Sequence, residues 1–173
     1  MLLYGDEMRR SAEGDNNTVY QDNALNWINW ENTKRYANIL RFTQMIIAFR
    51  KRHSIHQPWR YLVAESAEAA PLRNMTWHGV KPNQADFGGR YLAVVMEAFQ
   101  TESRNDVPIY MGTNTYWEPV QVELPPTPNK RWFRVVDTSL SGEEDIVTDD
   151  EAVFLTERAY TVQPRSTIVL IAK

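Results

Sequence analysis

The residues with the most chemical potential stand in the first thirty positions. Gly5-Asp6-Glu7 is followed by Gly14-Asp15-Asn16-Asn17, by Gln21-Asp22-Asn23, and then by Trp27 and Trp30. Planar amides and carboxylates make paired hydrogen bonds to neighbouring hydroxyl groups, and indole faces stack on apolar rings. A hydroxyl-rich ligand such as a sugar needs both. Asp6, Glu7, Asn16, Asn17, Gln21, Asp22 and Asn23 are therefore candidate polar contacts, with Trp27 and Trp30 as candidates for stacking. A plainer reading competes with each of these. Asn and Asp in loops commonly cap their own turns, Asp6 and Glu7 can bond Arg9 or backbone, and Trp27 and Trp30 are expected to be buried beneath the loop.

These side chains need elements to hold them. Met1-Leu2-Leu3-Tyr4 is a short apolar run that stops at glycine and two carboxylates, which reads as the end of a buried parallel strand. Glu31 to His53 is the clearest helix. At about 100° per residue its apolar positions, among them Tyr36, Ile39, Leu40, Phe42, Met45, Ile46, Ile47 and Phe49, fill an arc of roughly 220°. A surface helix shows a stripe nearer 100°, so this helix asks for two packing partners. Pro58 forbids its continuation, and the small residues around Glu65 to Pro71 read as a connector.

From Leu72 onward the pattern turns to strands: 74–79, the apolar run 91–99, 108–114, the alternating 120–124, 132–137 and 166–171. Pro125-Pro126-Thr127-Pro128-Asn129 is a turn, because proline cannot donate to a ladder. Short strands with such turns between them predict an antiparallel β-sandwich.

The N-terminal stretch resembles the end of the catalytic barrel in the isoamylase and glycogen-debranching branch of the α-amylase superfamily. There a barrel strand ends in Gly-Asp-Glu, and a loop of the form G-N-N-N-x-Y-x-Q-D-N-E-x-x-W-x-x-W follows. Here it stands as Gly5-Asp6-Glu7, Gly14-Asp15-Asn16-Asn17, Tyr20-Gln21-Asp22-Asn23, Trp27 and Trp30. Two positions depart: Asp15 replaces the usual Asn and Ala24 the usual Glu. The likeness continues through Trp77-His78-Gly79, Asp86-Phe87, Asn114 to Val120, Leu124-Pro125, Trp132 to Thr138 and Pro164-Arg165-Ser166, which are similar to that family's C-terminal β domain. The resemblance implies a role in hydrolysing α-1,6 links in glycogen or a similar glucan. It places Asp6, Glu7 and the polar loop on the rim of a (β/α)8 barrel, and the long helix between that barrel and the β domain. It also makes Met1 an internal methionine, so that the chain starts where a barrel ends.

Composition agrees with an ordinary globular protein: 173 residues, 43% hydrophobic and 24% charged, enough for one good core. A net charge of −3 argues against nucleic acid and anionic membranes as partners. No apolar run approaches the roughly 20 residues of a membrane helix. The absence of cysteine suits a cytoplasmic protein, and Met1-Leu2-Leu3 lacks the basic flank of a signal peptide.

Retaining glycosidases need two carboxyl groups about 5–5.5 Å apart across the scissile bond. In the resembled family those acids lie upstream of the motif at Gly5, so no catalytic residue is assigned. Asp6 and Glu7 do not replace them, since neighbours on a strand point to opposite faces. His53, His56 and His78 make no convincing metal set. The acidic run Glu143, Glu144, Asp145, Asp149, Asp150 and Glu151 does not match a calcium-loop spacing and reads as a solvated hairpin loop. Trp77, Tyr116, Trp117 and Trp132 are expected mostly in the sandwich core. No cofactor is implied.

The expectation is a barrel remnant of strand, loop and helix over 1–64 and a β-sandwich over 65–173. This chain would be the C-terminal part of an α-glucan debranching hydrolase, inactive alone. Its partners would be an α-glucan and either the barrel or a second copy against helix 31–53. Ile39, Leu40, Ile46 and Ile47 should bury against the sandwich or that partner. The alternative is a free-standing carbohydrate-binding or protein-interaction module, which would need exposed Trp and Tyr on one face of the sandwich.

Overall fold

The computed structural model describes residues 2–53, 75–97 and 107–173. The chain divides into two compact units, Met1–Ile47 and Ala48–Lys173. The expected helix stop at Pro58, the connector at 65–71 and the domain boundary near residue 65 lie outside the described residues.

In the first unit no strand forms among the described residues. Leu2, Leu3 and Tyr4 are exposed, and Asp6–Met8 make one turn of 3-10 helix. This corrects the expectation of a buried strand end. A strand needs a neighbouring ladder to satisfy its backbone, and here the turn is closed by Asp6, whose carboxylate accepts the Leu3 N–H at 2.9 Å. The long helix is present but broken: α1 spans Asn32–Arg35 and α2 spans Ala37–Arg52. Tyr36, at φ −118° and ψ 37°, leaves the helical region between them. The burial expected for Ile39, Leu40, Ile46 and Ile47 against the sandwich or a partner is incomplete within this chain. Leu40 and Ile46 are half-buried, Ile39 and Ile47 are exposed (Ile47 by 40%), and Phe49 is the one fully buried residue of α2. An apolar arc of this width suits packing partners on two sides.

Among its described residues the second unit carries eight strands. They are β1 Met75–His78, β2 Tyr91–Met96, β3 Ile109–Asn114, β4 Val120–Glu123, β5 Trp132–Asp137, β6 Val153–Phe154, β7 Ala159–Val162 and β8 Ser166–Ala172. Two antiparallel sheets result: six strands in the order β1-β2-β3-β8-β5-β6, and the pair β4-β7. Six strands match the runs read from sequence, save that 74, 98 and 99 lie outside the described residues. Strands β6 and β7 were not anticipated. The first has only two residues, both exposed, and the second is a four-residue Ala-Tyr-Thr-Val alternation too short to register.

Alternation along the strands builds the core. Tyr91, Ala93 and Val95 of β2, Tyr110 of β3, and Ile168, Leu170 and Ala172 of β8 share one face of the large sheet. They pack with Val122 and Val162 of the small sheet, and with Leu124 and Trp132. Side-chain hydrogen bonds finish the layer. The Trp132 indole N–H donates to the Pro125 carbonyl at 2.8 Å, and the hydroxyls of Tyr91 and Tyr110 meet at 2.6 Å. Burial pushes the Tyr110 phenol up to about 12 and Tyr91 further. Gly112 makes room for this pair, because a Cβ there would lie 1.9 Å from the Tyr91 hydroxyl. The large sheet's other face is also buried in part, at Val94, Met96, Ile109, Val169 and Ile171.

Candidate functional site

The N-terminal loop is built by its own polar groups. Asp15 Oδ1 accepts the Asn17 N–H at 2.9 Å, and Oδ2 accepts from the Gln21 amide at 2.6 Å, which together hold the Asp15 pKa below its ordinary value. The Asn23 amide donates to Gln21 Oε1 at 3.4 Å, and its Oδ1 accepts the Leu25 N–H at 3.0 Å. The Trp27 indole N–H donates to Asp22 at 2.8 Å. Asp6 is engaged by the Leu3 amide, while Asn16 and Asn17 are exposed.

The structure thus gathers Asp15, Gln21, Asp22, Asn23 and Trp27 into one hydrogen-bonded loop. Its centre is a residue the sequence did not single out, Asn26. The Asn26 side chain donates to the carbonyls of Thr18 and of Gln21, the latter at 2.6 Å. Its Oδ1 accepts from the Arg10 guanidinium at 2.8 Å, and that guanidinium lies 4.6 Å from the centre of the Tyr4 ring. Within a loop of amides nothing in residue type marks Asn26 apart; only the return of the chain past Arg10 does. Trp27 and Trp30 are 61% and 68% exposed. The expected burial beneath the loop is therefore corrected: both indoles stand available for stacking. Asp6 and Glu7 are consecutive in a 3-10 turn, about 120° apart around its axis, so the opposite-face geometry of a strand does not apply to them.

A second group of aromatics lies at one end of the β unit. Of the four expected in the core, Trp132 is buried and Trp77 and Tyr116 are half-buried, but Trp117 is 65% exposed. The Tyr116 and Trp117 rings stack with centroids 3.9 Å apart, tilted by 33°. The Arg90 guanidinium carbon lies 3.8 Å from the Tyr116 centroid. Two groups this close to one ring centre must lie on opposite faces, so Arg90, Tyr116 and Trp117 form a three-layer stack.

Three local devices hold that stack. The Asn114 side chain, fully buried, accepts the Tyr116 N–H at 3.0 Å and donates to the Glu118 carbonyl at 2.8 Å. The Arg90 carbonyl accepts from the Thr115 N–H at 3.0 Å and from its hydroxyl at 3.1 Å. The 79–90 loop is pinned by buried His78, whose Nδ1 accepts the Asn83 N–H at 2.9 Å. Gly79 lets that loop close, since a Cβ there would meet the Gln84 carbonyl oxygen at 2.1 Å. Beside the stack lies a depression of about 350 Å³ lined by Asp86, Arg90, Tyr91, Val80 and Val120 with Gly88 and Gly89. Phe87, exposed, leans edge-on against Trp77 at 5.6 Å.

The remaining candidates resolve into structural roles. His53, at the end of α2, places Nε2 3.0 Å from Asp149 Oδ2, and Arg52 reaches the other oxygen at 3.1 Å. Glu151 accepts from the Thr148 hydroxyl at 2.8 Å and from its amide. The acidic stretch, expected as a solvated hairpin, is thus partly tied down at Asp149 and Glu151. His56 lies outside the described residues. Among the described residues no cluster of three or more His, Asp or Glu stands where it could hold a metal ion, and no helix is long and apolar enough to cross a membrane.

The family model described as isoamylase 1–3, C-terminal, matches residues 76–170. The chain is 29% identical to a Flavobacterium isoamylase over all of this chain and 24% of that protein's length. It is 32% identical to the chloroplastic isoamylase 3 of rice, again over all of this chain and 20% of that protein. It therefore spans about a fifth to a quarter of the length of these relatives. Among solved structures, a pullulanase from Anoxybacillus complexed with maltotetraose superimposes on 99% of this chain and 20% of that chain. Its TM-score is 0.67 at 17% identity, a likeness of fold.

Proposed function

We infer the role of this chain from the family to which it belongs, the isoamylase 1–3 C-terminal family. It serves as the C-terminal part of a debranching hydrolase that cuts α-1,6 links in glycogen or a similar α-glucan. The observation that carries this reading is the family match over residues 76–170. It is supported by the ordered array from Gly5-Asp6-Glu7 to Trp30, whose indoles stand exposed beside a hydrogen-bonded amide loop.

Hydrolysis requires an acid and a nucleophile held about 5–5.5 Å apart, and none of the polar residues at Gly5 to Trp30 is assigned to either role. The chain alone should leave glycogen intact. Its contribution is to complete and support a catalytic barrel: the rim loop faces glucan through Asn16, Asn17 and Trp30, and α2 offers Ile39 and Ile47 to the barrel or to a second copy.

Two assays test this. Incubating the 173-residue chain with glycogen should release no reducing sugar, and release would overturn the assignment of the catalytic acids elsewhere. Exchanging this chain for the matching segment of the Flavobacterium isoamylase should preserve α-1,6 hydrolysis. A folded, soluble chimera without activity would overturn the assignment to a debranching hydrolase.

A further inference from the structure

We propose that the Arg90–Tyr116–Trp117 stack and the adjoining depression form an α-glucan-binding site on the β unit. The inference rests on the debranching reading for its ligand class, and on the geometry for its location.

Trp117 is an exposed indole held in place by a second ring beneath it. Trp117 is open on its outer side while Tyr116 supports the inner side, and Arg90 closes the far face of Tyr116. Such support removes rotamer freedom before a ligand arrives, so less entropy is lost on binding. A pyranose presents a flat face of C–H groups that covers an indole and a rim of hydroxyls that needs planar polar partners. Asp86 and Arg90 line the 350 Å³ depression on the other side of the Tyr116 ring from the indole, so a glucan of several units, rather than one pyranose, spans from the indole to these polar partners. That volume is within the range of small-ligand pockets. The combination suits a neutral polyol: one carboxylate and one guanidinium offset each other, and no charged cluster selects an ion.

The site is also built rather than incidental. Buried Asn114 bonds the backbone on both sides of Trp117, at Tyr116 and Glu118. Arg90 holds the same turn through Thr115. A turn fixed at this many points presents its aromatic pair in one orientation.

The test is titration calorimetry of the 173-residue chain with maltoheptaose and, separately, cellohexaose. The variants are Trp117→Ala, Tyr116→Phe and, as rim controls, Trp27→Ala and Trp30→Ala, each checked by thermal unfolding. Trp117→Ala should weaken maltoheptaose binding at least tenfold with an unchanged unfolding temperature, Tyr116→Phe should bind normally because it keeps the ring, and Trp27→Ala and Trp30→Ala should remove only the rim loop's own share of the affinity and leave the Trp117-dependent share. Unchanged affinity in Trp117→Ala overturns the proposal, as does loss of binding confined to the rim variants, which assigns the glucan to the loop. Absence of maltoheptaose binding in the parent chain also overturns it and leaves the stack as a protein contact. Equal affinity for cellohexaose overturns the assignment to α-glucans. Activity of the isoamylase chimera is read independently, so an active chimera with no binding at Trp117 removes this site and spares the debranching reading.

Discussion

The side-chain oxygen of Asn114 accepts the backbone N–H of Tyr116 at 3.0 Å, from a position with no exposure to solvent. The same side chain directs its amide hydrogens at the carbonyls of Glu118, Val162 and Gln163, at 2.8, 3.2 and 3.0 Å. One residue on β3 therefore joins the large sheet to the end of β7 in the small sheet, and shapes the turn that carries Trp117. Asn114→Asp keeps the shape but turns a carboxylate oxygen toward three carbonyls. It should cost about 3 kcal/mol or more, because buried acceptors are left unpaired beside a buried charge. Urea unfolding measures the loss, and a change within roughly 0.5 kcal/mol, the range of a surface substitution, would remove Asn114 from this role.

A second link between the sheets joins Tyr160 of β7 to Asp137 of β5. The Tyr160 hydroxyl donates to Asp137 Oδ2 at 2.6 Å, while Ser139 fills Oδ1 through its amide and hydroxyl. Burial, with the Asp137 hydrogen bond next, pushes the Tyr160 phenol well above its ordinary value. Tyr160→Phe deletes one hydrogen bond to a buried acid and should cost about 1.5–3 kcal/mol. Chemical denaturation at neutral pH checks it. A stability equal to the parent would mean that water replaces the hydroxyl.

Stability should depend on pH through His78. Burial holds its pKa below the usual imidazole value, and Nδ1, which accepts from Asn83, leaves the ring proton on Nε2. Among the described residues Nε2 has no hydrogen-bond partner. Between the lowered folded value and about 6.5 the unfolded chain binds more protons than the folded one, so stability rises with pH there. The contribution is complete above about 6.5 and is lost as pH falls through the folded value. The urea midpoint should drop between pH 7 and pH 5, and His78→Gln should flatten that slope. Equal slopes in the two proteins would show that other groups control it.

Along α2 the contrast between Phe49 and Ile47 sets a further expectation. Phe49 is buried and lies 4.4 Å from His53, ring centre to ring centre, whereas Ile47 is 40% exposed. Phe49→Ala should cost about 3–5 kcal/mol as a cavity mutation, and Ile47→Ala under about 1 kcal/mol. If both α2 faces are covered by a second copy of the chain in solution, Ile47→Ala will instead be costly, and its cost will grow with protein concentration.

Much of the β unit was legible before any coordinates, since period-2 alternation and proline-rich turns depend on neighbours in the chain. The run at β8, Ser166–Ala172, and the clean alternation at Val120–Glu123 register because burial on a pleated sheet is written into consecutive side chains. The short edge β6 and the four-residue β7 were not legible: they are held by partners in β5 and β4 more than by their own composition.

The site divides in the same way. Sequence by itself determined the family motif, the polar composition of the rim loop and the apolar width of α2, all of which are one-dimensional patterns. Tertiary structure alone decided that Trp27, Trp30 and Trp117 stand exposed while Trp132 is buried. It also decided that Leu2 and Leu3 form no strand, and that half-buried Asn26 and fully buried Asn114 are the organisers among many asparagines. The reason is physical. An aromatic or amide side chain suits core and surface alike, and its role depends on which distant segment closes over it.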